Sequence, residues 1–194
     1  MSWFKRAIDR LQGKSPTNWL GYRVINQVGN RTVLDIGCGI LNAFGGRPIG
    51  SQHMCVDAFP PYIERLQEQG RSVVLGKAPE VMEQFEDQSW DCVLLLDVLE
   101  HLTRQDAEQA LSHAERIARD EVIVFTPNGF LEQHGWEAWG LPHNELQAHR
   151  CGFRIEELEQ RGYRCQIDRS TSEQHGDIEH LYGVRQRSAA VRAA

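Results

Sequence analysis

The chain has 194 residues, 41% of them hydrophobic and 25% charged, as expected of a single soluble globular domain with a full core. Its net charge of −6 argues against broad binding to a nucleic-acid backbone, which needs a positive footprint. The longest apolar run, 92–99, is interrupted by Asp97 and falls far short of the roughly 20 residues that span a bilayer.

Near the start, Trp3, Phe4, Ala7, Ile8 and Leu11 fall on one face of a helix over 3–11. Ser15-Pro16-Thr17-Asn18 breaks the chain and caps a second helix over 19–28, so residues 1–30 read as a helical N-terminal piece. A first strand at 32–36 ends in Asp35-Ile36 and enters Gly37-Cys38-Gly39, a turn where backbone comes close to a ligand. Gly45, Gly46, Pro48 and Gly50 then leave room for only a short helix. A second strand at 53–57 ends in Asp57, and a helix over 61–69 stops at Gly70. A third strand, 72–75, and a short helix near 79–85 come next.

The fourth strand, 91–96, is apolar on both faces, as a central parallel strand should be. A long helix over 104–118 follows, capped by Thr103 with Asp106 at its third position. The fifth strand, 121–125, is closed by Thr126-Pro127-Asn128-Gly129. Residues 127–152 form a polar insertion rich in Trp and His, expected to act as a lid over a substrate. A helix near 154–161 precedes strands at 163–168 and 180–186. No helical pattern separates these two, so they are expected to pair antiparallel. Residues 188–194 read as a disordered tail.

Strands alternating with helices predict an α/β fold, doubly wound, with a seven-stranded, mostly parallel sheet and an antiparallel last strand, in one domain over 1–187. In such a sheet the ligand sits at the carboxyl ends of the strands, here 37–41, 57–59, 76–78, 97–101 and 126–130. The cysteines, at 38, 55, 92, 151 and 165, show no Cys-x-x-Cys spacing, which excludes a zinc knuckle and suggests free thiols in a reducing cytoplasm.

The glycine turn narrows the ligand. A dinucleotide fingerprint needs a third glycine at 42, where the chain has Asn42, so an NAD(P)-dependent oxidoreductase loses its pyrophosphate contact. A nucleoside ligand without phosphates is the alternative. Val33-Leu34-Asp35-Ile36-Gly37-Cys38-Gly39 resembles motif I of class I S-adenosylmethionine-dependent methyltransferases. Asp57 matches the acid which, in that family, binds the ribose, and Asp97-Val98-Leu99-Glu100-His101-Leu102 resembles its loop after the fourth strand. Thr126-Pro127-Asn128-Gly129-Phe130 and the His-Arg-x-Gly-aromatic segment at 149–153 resemble a bacterial subgroup acting on small molecules or glycans. The resemblance spans about residues 31–168.

It implies S-adenosyl-L-methionine as cofactor and a residue-by-residue site. Gly37, Cys38 and Gly39 would face the methionine part and the sugar, with Asp35 orienting the glycine loop. Asp57 would accept from the ribose hydroxyls, and Ala58 and Phe59 would flank the adenine. Ala78 would offer its N–H to the adenine, and Asp97 and Val98 would meet the methionine end. Two positions depart from the family: Leu41 replaces a small residue, and Lys77 replaces an acid that accepts from the adenine amino group. The implied reaction is SN2 methyl transfer to an oxygen, second to that a nitrogen, of a small molecule or a glycan or lipid precursor. His149, then His101, are the candidate bases, and Trp136 and Trp139 are expected to pin the lid. A domain that binds the cofactor without catalysis is the other alternative. The set Asp97, Glu100, His101 and His149 is similar in pattern to the divalent-ion ligands of small-RNA 3′-terminal ribose methyltransferases. Because the leading acid is Asp, the chain is acidic and ordinary small-molecule methyltransferases also carry Glu-His here, no metal is expected. The net charge makes nucleic acid an unexpected partner, no membrane span is expected, and no oligomeric state is assigned.

Overall fold

The computed structural model describes residues 19–135, 139–172 and 176–187. The expected helix over 3–11, Trp136 and the tail at 188–194 lie outside the described residues. Seven strands form one sheet: β1 (Thr32–Ile36), β2 (Gln52–Asp57), β3 (Ser72–Leu75), β4 (Trp90–Leu96), β5 (Ala118–Pro127), β6 (Arg164–Ser172) and β7 (Gly176–Gln186). Their order is β3-β2-β1-β4-β5-β7-β6. Among the described strands β7 runs opposite to the other six, pairing antiparallel with both β5 and β6. The helices are α1 (Trp19–Val28), α2 (Pro60–Glu68), α3 (Arg104–Ile117) and α4 (Ile155–Gln160).

Alternation along the central strands fills a core on each face. Val93 and Leu95 of β4 pack with Leu34, Ile36, Leu111 and Phe153 on the side of α3 and α4. Cys92, Leu94 and Leu96 point the other way, toward Leu20, Val24 and Val28 of α1. α3 buries Ala107, Ala110, Leu111, Ala114 and Ile117, a stripe at helical spacing. Thr103 caps it as expected, its hydroxyl accepting from the Asp106 N–H at 3.2 Å.

Three stretches differ from the sequence reading. β5 begins at Ala118, directly at the end of α3. The polar pair Arg119 and Asp120 hid its start, and Arg119 reaches Asp91 at 2.6 Å. The β6–β7 hairpin is longer than expected because its outer rungs are polar; Arg169 and Glu179 pair across it. Between β1 and β2 the chain makes one 3-10 turn, Asn42–Phe44, and no α-helix. Leu41 enters that turn in the left-handed region (φ 60°), and its side chain is buried with Phe44 and Leu20.

At the opposite end of the sheet from the glycine turn, Glu121 is buried (2% exposed). Arg31 donates to its Oε1 at 2.5 Å, and Gln27 donates to its Oε2 at 2.9 Å. This joins α1 and the chain entering β1 to β5. Arg31 is half-buried, and removing it leaves the buried Glu121 carboxylate without its cation. Arg31→Met is therefore expected to lower unfolding free energy by about 1–3 kcal/mol, read from urea melts. Arg31→Met/Glu121→Leu should recover most of it; a double variant no more stable than the single would assign the loss to packing.

Candidate active site

A cavity of about 1200 Å³ opens over the carboxyl ends of β1, β2, β4 and β5. Pockets for one small molecule run to roughly 300–1,000 Å³, so this one has room for two ligands side by side. The glycine turn forms one wall. The N–H groups of Gly37 and Cys38 both donate to the Val56 carbonyl, at 2.8 and 3.1 Å, fastening the turn to β2. Gly37 has φ 71°, and a Cβ there would stand 2.4 Å from Cγ2 of Val98. This glycine thus makes room for a protein side chain, whereas Gly39 lines the open cavity.

Asp57 stands where β2 ends. Its Oδ2 accepts from the Gly39 N–H and its Oδ1 from the Phe59 N–H, each at 2.9 Å. Burial pushes this carboxyl up to about 6, against the opposing pull of the Phe59, Gly39 and Ala58 N–H groups. A carboxylate offers about four acceptor positions, and the two bonds at 2.9 Å take one on each oxygen. Asp35, also buried, is 3.1 Å from Nε2 of His53. His53 Nδ1 accepts from the Ile49 N–H, which makes Nε2 the protonated nitrogen and the donor to Asp35. Ala58, Lys77 and Ala78 line the cavity as expected; Lys77 is exposed and Ala78 buried. Phe59 does not line it. Its ring turns onto Tyr62, 4.8 Å away between centroids, and Tyr62 takes the lining position instead.

The facing wall comes from β4, β5 and the strap that follows. Asp97 (φ 55°) is exposed to the open cavity, and the loss of part of its water to the surrounding protein raises its carboxyl. Glu100 is 2% exposed and accepts from the Thr126 hydroxyl at 3.1 Å. Burial, then the nearby Asp97, pushes its carboxyl well up. The Glu100 carbonyl accepts from the N–H groups of Arg150 (2.7 Å) and Cys151 (3.2 Å), which brings the 148–151 segment over the site. His149 and His101 then meet edge to face with centroids 4.9 Å apart. Burial, then His149, depresses His101 to about 4. Each ring presents Nδ1 to a backbone carbonyl, His149 to Leu131 at 2.6 Å and His101 to Ala148 at 3.4 Å. Glu100, His101 and His149 each offer one ligand atom within 4.8 Å of the others.

The strap is fastened at both ends. Asn128 donates to Glu179 and accepts from the Ile155 N–H at the start of α4. Gly152 packs so closely that a Cβ would lie 2.4 Å from the Phe130 nitrogen. In its middle, the Trp139 ring leans on Tyr62 and its carbonyl accepts from Arg65 at 3.1 Å.

Residues 34–126 match the family described as a methyltransferase domain. That stretch of the chain is a methyltransferase domain of the class I, S-adenosylmethionine-dependent kind. Its cofactor is S-adenosyl-L-methionine. No curated protein matches the sequence. Solved structures share the fold at low identity. The 1,6-didemethyltoxoflavin-N1-methyltransferase of Burkholderia thailandensis, solved with 1,6-didemethyltoxoflavin and S-adenosylhomocysteine bound, is 18% identical with a TM-score of 0.60, over 95% of this chain and 83% of its own. An S-adenosylmethionine-dependent methyltransferase from Archaeoglobus fulgidus is 17% identical with a TM-score of 0.60, over 96% of this chain and 100% of its own. The magnesium protoporphyrin IX methyltransferase of Synechocystis, with S-adenosylhomocysteine bound, is 16% identical with a TM-score of 0.55, over 85% and 81%. Among the described residues of this methyltransferase, no helix is long and apolar enough to cross a membrane.

Sequence reasoning passed over His53 and Tyr62, and quoted Thr126 within a motif without giving it a role. His53 sits inside a strand and carries no motif signal; Tyr62 lies on the inner face of α2, where an apolar residue reads as core. For Gly37→Ala, the positive φ and the stiff, buried Val98 predict a loss of about 1–3 kcal/mol. Chemical denaturation checks this, and adding Val98→Ala should return part of the loss. A Gly37→Ala variant as stable as the parent would remove the steric account of this glycine.

Proposed function

We propose that this methyltransferase moves a methyl group to an oxygen of a small molecule, or of a glycan or lipid precursor, with cofactor and acceptor side by side in the one cavity. The observation that carries the reading is the placement of the Gly39–Asp57 cradle and the His101–His149 pair on facing walls of that cavity. Bound S-adenosylmethionine supplies an electrophilic methyl on a cationic sulfur, open to in-line displacement.

The chain's part is to hold, align and dry. The oxygens of Asp57 suit the two ribose hydroxyls, as charge-assisted bonds. Gly37, Cys38 and Gly39 supply the backbone wall, with Asp35 fixed behind them by His53. Ala58, Lys77 and Ala78 border the adenine end, and Asp97 and Val98 the methionine end. The acid-lined mouth, with the basic side chains Lys77 and Arg150 at its edges, suits a cationic, phosphate-free ligand. Residues 127–152 serve as the lid, and Trp139 on Tyr62 and Arg65 latches it over the Gly39 side. Alignment of two bound reactants can supply up to about 7–11 kcal/mol of the barrier. An acceptor hydroxyl also has to lose its proton, and we place that event at His149 and His101.

Two measurements test this. Asp57 offers both oxygens as charged acceptors to a ribose only when ionised, and its carboxyl stands at about 6. Affinity for S-adenosylhomocysteine is therefore expected to be level above that value and to fall as pH drops below it, by up to about tenfold per pH unit for one proton. Calorimetry checks the curve. Asp57→Asn should bind at least about tenfold more weakly at pH 8 and show a flatter pH dependence; an unaltered affinity removes Asp57 from the site.

His149→Ala should lower turnover by about 10²–10⁴-fold, the usual worth of a positioned proton acceptor, with S-adenosylhomocysteine affinity unchanged. Transfer of labelled methyl into a cell extract provides the assay. Unchanged turnover rejects the role of His149.

A further inference from the structure

We infer that Glu100, His101 and His149 together hold a divalent transition-metal ion at the acceptor side of the cavity. The sequence reading expected no metal. What argues for one is how the three side chains are supported. Both imidazoles direct Nδ1 at a backbone carbonyl, at 2.6 Å for His149 and 3.4 Å for His101. That fixes Nδ1–H as donor and makes Nε2 the lone-pair nitrogen of each ring, the arrangement by which ligating histidines are oriented.

The third group is a buried carboxyl, oriented by the Thr126 hydroxyl, and among the described residues no Lys or Arg forms an ion pair with it. A buried carboxylate needs a cationic side chain or a metal beside it to carry its charge, and the two imidazoles next to Glu100 would share a metal with it. One ligand atom from each residue lies within 4.8 Å of the others. Two nitrogens on opposite sides of an ion stand about 4.2 Å apart, twice a bond of about 2.1 Å, so small side-chain rotations bring the set into contact. Two imidazoles and one carboxylate suit Mn²⁺, Fe²⁺ or Zn²⁺ over Ca²⁺ or Mg²⁺, which prefer oxygen throughout.

All three side chains also line the cavity, which leaves coordination positions open toward the space assigned to the acceptor. The inference rests on that assignment and deepens it. An acceptor hydroxyl bound to the ion would shed its proton to water near neutral pH, as metal-bound water does. His101 and His149 would then act on the acceptor through the ion.

The test uses the full chain stripped by a chelator, then titrated with Mn²⁺ under electron paramagnetic resonance and with Zn²⁺ by calorimetry. Saturable uptake of a single equivalent is expected, with imidazole nitrogen coupling in the Mn²⁺ spectrum. Glu100→Gln, His101→Ala and His149→Ala should each weaken uptake by at least about 10–100-fold, with circular dichroism confirming that they fold. Wild-type protein that takes up neither ion at millimolar concentration overturns the inference. So does uptake that these substitutions leave unchanged. Asp57→Ala separates the two readings, since it should bind the ion normally while losing S-adenosylhomocysteine. If wild-type protein binds the ion but no S-adenosylhomocysteine, the cofactor assignment fails and the metal site stands.

Discussion

The carboxylate of Asp57 joins the ends of two strands that carry the wall of the cavity proposed for the cofactor. One oxygen holds the Gly39 N–H from the turn after β1 and the other holds the Phe59 N–H at the start of α2. Burying an acid here is costly, as its rise to about 6 records, and the N–H bonds offset only part of that cost. The arrangement keeps the acid pointed and partly dehydrated before any ligand arrives. A hydrogen bond from a ribose would find its acceptor already aimed, so little ordering is left for the binding step.

The other acids at the strand ends are each handled differently. Asp35 is bonded to His53, whose other nitrogen is set by a backbone N–H, so its direction is fixed from behind. Asp97 stays open to the cavity. Glu100 is enclosed and bonded to Thr126. Crowding carboxyls at one mouth raises those that are buried, and such crowding is tolerable where a positive centre is to be received. A sulfonium meets that condition, and a pyrophosphate does not. The replacement of the third glycine by Asn42 and the acidity of the mouth therefore lead to the same ligand by independent routes.

The layers of the fold were legible because burial writes directly into the pattern of residues. The unbroken apolar run of β4 announced a central strand, and Thr103 with Asp106 announced the start of α3. Boundaries failed where polar side chains sit on regular structure, as at Arg119 in β5 and Arg169 in β6. A solvated rung of a sheet looks like a loop when only hydrophobicity is read. The glycine turn and Asp57 were visible because their residue types answer to backbone geometry. His53 was invisible, since its partner Asp35 is 18 residues away and only the β1–β2 pairing brings them together. Phe59 was expected to flank the adenine because the family resemblance implied it. In the structure it caps α2 with its backbone and gives its ring to Tyr62, one helical turn on. The clash that Gly37 avoids is with the Val98 side chain, which no local pattern around the glycine reveals.

Glu100 shows why site and scaffold cannot be separated here. Its carbonyl accepts from Arg150 and Cys151, while its carboxyl is held by Thr126 at the end of β5. The strap is in turn tied to β7 and α4 through Asn128, and to the 129–130 backbone through the space that Gly152 leaves. The meeting of His149 with His101 is thus decided by backbone bonds on either side of it. A long loop would otherwise lose several kcal/mol of conformational entropy to hold a histidine in place, at about 1–2 kcal/mol for each residue fixed. Here the ordering is shared with the packing of the sheet, so the two imidazoles are positioned by the same contacts that close the fold.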